Sequence, residues 1–532
     1  MATKPAGSSE AVKNEDDVLL ATLGYKQEFK REYTPWELFG IMFSAIGAVP
    51  SFASVLVYAI PNGGPVAMVW GWGICTIFLV LIGLAIAELG SAAPTSGGLY
   101  YWTYSLSSPR WRCLLCWIVG YFNTIGLAAG VAAVEWGFAV QLMAAVSIGS
   151  DEHFAPTNAQ LYGVYCAVLL VQALVCSTAT KHIARVQSLH IALNVLCFVV
   201  IVIALPAVTP TEYRNSASYT FGHFENLTGW SNGFAFVMSF LAPLWAVGGF
   251  DDPVHISEEA SNASTAVPYA IILGTSAPAV IGFVLNITVA FCMGSDLDGL
   301  VGSAIGQPLA VVFYNSLGKR GALALWSIII VLQFMMGIST LTVASRQAFA
   351  FSRDGALPFS RYLYRINRYT QTPVNCVWFV AFLAGVLGLL SFAGSEAVGA
   401  VFTLAAAAPY VAYCIPITAR FAFANEFRPG PFTLGRFSFP VSATAVSWMV
   451  FAIIVFLFPA NPSPVVSSMN YTIAVLGAVL VGSLTYYYFP VYGGVHWFRG
   501  PVANIDRRAA MNPALHGNQD VDLDEKIWAD VE

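Results

Sequence analysis

Charge is what this chain lacks. Asp, Glu, Lys and Arg together make up 10% of its 532 residues, while 57% are hydrophobic. A soluble globular protein carries about 25% charged residues, so much of this surface must face lipid rather than water. Basic blocks are missing too, and a formal net charge of −5 gives nucleic acid nothing to bind. Of the nine cysteines, Cys113-x-x-Cys116 alone has a spacing used by metals or redox chemistry, and no second pair accompanies it. The cysteines sit mostly inside apolar runs and read as small helix-packing residues. No His/Asp/Glu metal cluster and no Ser/His pair falls at useful spacing, which argues against a metal site and against an enzyme. Nothing resembles a repeated selectivity filter, which argues against a channel. The first 33 residues are polar and charged and hold no apolar stretch of the kind a signal peptide needs.

What is present is a series of apolar runs. A bilayer core needs about 20 consecutive apolar residues per helix. Twelve such runs occur, at 35–60, 65–89, 111–147, 158–178, 184–208, 231–260, 267–294, 321–350, 373–393, 396–418, 439–460 and 470–490. The expected organisation is an N-terminal tail at 1–33, a membrane domain at 34–490 and a C-terminal tail at 491–532. With twelve spans both tails share one side, and that side collects 21 of the 24 Lys and Arg, leaving Arg214, Lys319 and Arg320 on the other. Under the positive-inside rule both termini are cytoplasmic. Aromatics at two boundaries, Tyr100–Trp102 and Tyr486–Tyr488, agree with this frame. The sequon Asn226-Leu227-Thr228 falls in an outer loop.

Two spans carry their own interruption. The first contains Ile46-Gly47-Ala48-Val49-Pro50-Ser51, and the sixth contains Trp245-Ala246-Val247-Gly248-Gly249-Phe250-Asp251-Asp252-Pro253. Proline removes a donor and crowds the preceding turn, and glycine lowers the cost of unwinding. Freed backbone groups in hydrocarbon cost several kcal/mol each unless a cavity or ligand satisfies them. Breaks at matching places in two halves point to a transporter binding site. Spans one and six are five apart, which fits a five-plus-five inverted repeat followed by two extra helices.

These residues carry a resemblance. Pro50-Ser51-Phe52-Ala53-Ser54 lies in the first break. Glu88-Leu89-Gly90-Ser91-Ala92-Ala93-Pro94-Thr95-Ser96-Gly97-Gly98-Leu99-Tyr100 ends the second span. Gly249-Phe250-Asp251 leads through His255 to Glu258-Glu259, and Ala344-Ser345-Arg346 leads to Ser352-Arg353-Asp354-Gly355-Ala356-Leu357-Pro358. Over about 30–490 the chain resembles the amino acid–polyamine–organocation superfamily, and within it the fungal GABA permease/choline transporter branch. The resemblance implies an all-α polytopic membrane protein with the inverted-repeat (LeuT-like) fold, spans one and six broken. It implies secondary active transport of a small amino compound by alternating access. The compound is GABA or another amino acid; choline or a polyamine is the alternative, as is a nutrient sensor with the same fold. A plasma-membrane location is expected, with the vacuolar membrane as the alternative.

The candidate site follows. Ile46, Gly47, Ala48, Pro50, Ser51, Trp245, Ala246, Gly248, Gly249 and Phe250 are expected to contact substrate, since unwound backbone offers N–H groups to a carboxylate. The Val49-Pro50-Ser51 triplet departs from the G-x-G of α-amino-acid permeases, which leans toward an ω-amino acid, a polyamine or choline. Trp245 suits a lid, and its face can hold an ammonium for about 0.5–2 kcal/mol. Asp251 is the expected coupling acid, because an ionisable residue at membrane depth is costly; Asp252 reads as a helix cap. Glu135 is expected to bind the amine. His190 and Asn194, one turn apart in the fifth span, are coupling candidates, and Glu88 and Arg346 are inner-gate candidates. No lysine stands in the fifth span to replace a sodium ion. Ser339, Thr340 and Thr342 could supply hydroxyls to sodium, although a proton is the favoured coupling ion. No cofactor is expected.

Overall fold

Lipid offers the backbone no hydrogen bonds, so an apolar run of this length must satisfy its own, and it does so as a helix. The computed structural model describes residues 7–178, 180–464 and 469–504, and all twelve apolar runs are helical in it. Among the described residues ten helices are long and apolar enough to cross a membrane; Asn232–Ala246 and Thr472–Tyr488 are shorter apolar helices that complete the series. The described part of the C-terminal tail ends at 504, and 505–532 lie outside the described residues.

The packing has the symmetry that an inverted repeat requires. The first span runs as Pro35–Ile46 and Ala48–Ala59, and the sixth as Asn232–Met238, Leu241–Ala246 and Asp252–His255. The first half of each broken span packs on the second half of the other, so the two lie antiparallel. The third span, Arg112–Gly149, packs on the tenth, Ser395–Ala422. Five spans on, the eighth, within Pro308–Arg353, packs in the same way on the fifth, Thr180–Val208. The second span packs on the seventh, its counterpart. The eleventh and twelfth, Ser438–Phe456 and Thr472–Tyr488, stand outside this pattern against the second, third and tenth.

The two breaks differ in kind. The first is a single residue: Gly47 has φ 56° and ψ 69°, and helix resumes at once. The site demands glycine twice over, because the left-handed conformation strains any residue with a Cβ and that Cβ would lie 2.5 Å from Met336 Sδ. Pro50 then falls in the first turn of the new half-helix, where a missing N–H costs nothing. The sixth span is open from Val247 to Asp251, with Gly249 at φ 70°.

The N-terminal segment, read as a polar tail, contains the helix Gly7–Leu23. Asp16 caps the seventh span, accepting from the Asn262 and Ala263 amides at 2.7 and 3.1 Å. The strap that follows pairs with the segment just after the sixth span: Tyr33 N–H donates to Glu259 O, and Tyr33 O accepts from Ser261 N–H, both at 3.0 Å.

Candidate substrate site

A cavity of about 90 Å³ lies at the two breaks. Ala45 and Ile46 of the first span border it, as do Trp245, Ala246, Gly248, Gly249, Asp251 and Asp252 of the sixth. The third span adds Gly126 to Val134 at helical spacing, the eighth adds Met336 and Thr340, and the tenth adds Ala405, Pro409, Tyr410 and Tyr413. The lining holds two carboxylates and no Lys, Arg or His. The amides of Gly248, Gly249, Phe250 and Asp251 have no hydrogen-bond acceptor among the described residues. Free N–H groups beside free carboxylate oxygen suit a ligand with both a carboxylate and an ammonium.

The two aspartates are held differently. Asp251, 1% exposed, is fully engaged. Its Oδ2 accepts from Asn123 Nδ2 at 2.7 Å and faces His255 Nε2 at 2.8 Å, while Tyr413 donates to Oδ1. His255 Nδ1 lies 2.8 Å from the Ser96 carbonyl oxygen. A carbonyl can only accept, so Nδ1 carries a proton. One further proton must therefore lie between Nε2 and Asp251, on either partner. Asp252, 5% exposed, has no hydrogen-bond or ion-pair partner among the described residues. Its Oδ2 leans over Gly249, where a Cβ would stand 2.5 Å from it. The Tyr410 hydroxyl is likewise buried and unpartnered.

Two ion pairs lie on the side of the cavity nearest the described terminal segments. Arg353 holds Glu258 through both oxygens at 2.9 and 3.0 Å, and Arg346 holds Glu259 at 2.8 Å. The Tyr25 ring lies 4.0 Å from the Arg353 guanidinium carbon, and Gln27 donates to the Glu258 carbonyl at 2.7 Å. On the opposite side Trp245 meets Phe402, ring centroids 5.2 Å apart.

The remaining expected site residues fall elsewhere. Gly47, Ala48, Pro50 and Ser51 do not line the cavity. The Val49 amide donates to Asn194 Oδ1 at 3.1 Å, Ser51 N–H donates to Gly47 O at 2.8 Å, and Pro50 O accepts from Gln141 at 3.2 Å. The first break thus satisfies most of its own backbone. His190 and Asn194 belong to that support: His190 contacts Ser44, and its Nε2 lies 3.0 Å from Asn194 Nδ2. Phe250 packs on Tyr413, centroids 5.9 Å apart. Glu135 is 0% exposed but points between the third, fourth and eighth spans, against Gln172 and Gly337. Glu88 and Arg346 do not meet. Glu88 binds Arg420, Thr433, Ser438 and the Leu434 amide, which ties down the loop between the tenth and eleventh spans. Ser339, Thr340 and Thr342 each reach a carbonyl one turn back in their own helix, as hydroxyls in membrane helices commonly do. Asn123, His255, Tyr410 and Tyr413 were not singled out for the site from the sequence; only His255 lay inside a recognised motif.

Comparison with known proteins agrees with this architecture. The family model described as Amino acid permease matches residues 33–479. An uncharacterized amino-acid permease of Schizosaccharomyces pombe is 39% identical over 495 residues, 93% of this chain and 89% of that one. The GABA-specific permease of Saccharomyces cerevisiae is 36% identical over 522 residues, 97% of this chain and 88% of its own. Amino-acid permease 2 of Neurospora crassa is 34% identical, covering 93% and 91%.

Proposed function

The chain belongs to the amino acid permease family, a family of membrane transporters and not of enzymes, and from that premise we propose that it carries a GABA-like amino acid by alternating access. The observation that carries this reading is the cavity at the sixth break, where four consecutive free amides, Gly248 to Asp251, stand beside the carboxylate of Asp252. Amides of unwound backbone favour an anionic group. Choline and polyamines have no carboxylate to offer them, so the amino acid is the better fit. The similarity to a permease named GABA-specific supports the same choice.

The driving ion in this reading is a proton, held by the Asp251–His255 pair that borders the cavity. The ion pairs Arg353–Glu258 and Arg346–Glu259 form the gate on the side of the termini, and Trp245 with Phe402 forms the opposite lid. The split of Lys and Arg supports cytoplasmic termini, and in this reading a permease so oriented at the plasma membrane takes up its substrate.

The test is uptake by purified protein in liposomes, with labelled GABA, β-alanine, α-amino acids, choline and spermidine, each with and without an inward proton gradient. GABA should accumulate, faster with the gradient. Accumulation of choline or spermidine alone would replace this reading with the organocation one. No uptake of any compound would overturn it.

A further inference from the structure

We propose that Asp252 is the residue that recognises the substrate's ammonium group and so sets selectivity for protonated amines; this rests on the transport reading above. Two acids border the cavity, and they are not equivalent. Asp251 spends its oxygens on Asn123, Tyr413 and His255. The proton count at His255 makes the Asp251–His255 pair neutral as a unit, whichever partner holds the shared proton. Asp252 therefore brings the one uncompensated carboxylate to the cavity. It is 5% exposed, it has no hydrogen-bond or ion-pair partner among the described residues, and it lines the cavity.

A buried carboxylate without a counter-charge is costly unless something pairs with it. No Lys, Arg or His lines the cavity to do so. A primary ammonium supplies the missing charge and the donors together. The backbone holds the acceptor in place. Gly249 leaves room for the carboxylate to fold back over the chain, and Pro253 fixes the next residue at the start of the half-helix. The free amides of Gly248 to Asp251 lie immediately upstream, so ammonium and carboxylate ends of one ligand have separate receptors within a single break.

The experiment separates the two ends of the ligand. Labelled GABA uptake into proteoliposomes is competed with n-butylamine, which has only the ammonium, and with butyrate, which has only the carboxylate. In the unsubstituted protein both should compete. In Asp252→Asn the KM for GABA should rise about tenfold or more. Competition by n-butylamine should vanish, and competition by butyrate should persist. Asp252→Asn that keeps n-butylamine competition overturns the assignment. So does loss of both competitors together, which would mark a structural role. Asp252→Glu provides a second reading should Asp252→Asn not fold. It should keep amine competition but shift preference from GABA toward the shorter β-alanine, because the carboxylate reaches one methylene further. An unchanged rank order counts against the proposal. If the unsubstituted protein takes up no amino compound, the transport reading fails, and that result is read before any variant is made.

Discussion

At the scale of residues, the adjacent acids Asp251 and Asp252 are held differently. Asp251 is locked into a cluster in which every oxygen has a donor, and His255 is oriented by the Ser96 carbonyl. In the proposed mechanism, a proton between two such groups is released when the cluster changes shape as the sixth span moves. Asp251→Asn should therefore leave the protein folded and delivered but make uptake insensitive to external pH over an assay range of about 5 to 8. Initial rates across that range decide it, and an unchanged pH profile removes Asp251 from coupling. The sequence marked this place because two glycines, two acids and a proline cannot make a stable helix centre. It did not mark which acid is left without a partner at the cavity, since that depends on how a half-helix of four residues is rotated. Glu135 repeats the lesson. Val134 lines the cavity, and Glu135, about 100° further round a helix with 3.6 residues per turn, points into the fourth and eighth spans instead.

At the scale of elements, hydropathy marked all twelve spans because each must hide its backbone from lipid. The breaks were legible as composition but not as extent. A proline reads as an interruption, yet Pro50 sits harmlessly in the first turn after the single hinge residue Gly47. The helix Gly7–Leu23 escaped notice because the segment is polar, and its docking depends on partners distant in sequence, such as Asp16 capping the seventh span. The same holds for the proposed gate of ion pairs, which joins Glu258 to Arg353 across 95 residues. Both groups are buried, with side chains 0% and 2% exposed. Glu258→Gln would leave Arg353 without its main counter-charge, at a cost of roughly 3–5 kcal/mol. The expected outcome is a lower Tm and faster hydrogen exchange in 24–33 and 252–261, the strands of chain that close this face. Removing both charges, in Glu258→Gln with Arg353→Gln, should recover part of the loss. Unchanged exchange in Glu258→Gln would show that the pair does not hold the gate shut.

At the scale of the whole molecule, the described parts of the two terminal segments meet. Asn504 N–H donates to Gly24 O at 3.0 Å, Lys26 N–H donates to Asn504 Oδ1 at 2.7 Å, and Asn504 Nδ2 reaches Glu28 at 3.0 Å. The segments around 24–28 and 502–504 therefore lie on one side, as an even number of spans between them requires. The junction centres on Asp354, just past the end of the eighth span, which accepts from Tyr100 OH at 2.7 Å, from the Val502 amide at 3.0 Å and from Tyr25 OH at 3.2 Å. Burial pushes the Asp354 carboxyl up from an ordinary 3.8 to about 6, against the opposing pull of Arg353 and these hydrogen bonds. The sign follows from linkage. The folded protein binds this proton more tightly than the unfolded chain, so the contribution is fully present below pH 3.8 and is lost as pH rises through about 6. It amounts to at most about 3 kcal/mol for a shift of some two units. Asp354→Asn keeps an acceptor for Val502 and the tyrosines but has no proton to lose. Its Tm relative to the unsubstituted protein should therefore rise by a few degrees between pH 5 and pH 7.5, measured in the same detergent. A difference that stays flat across that range would mean that Asp354 is ionised throughout, and that the two tails meet around a permanent charge.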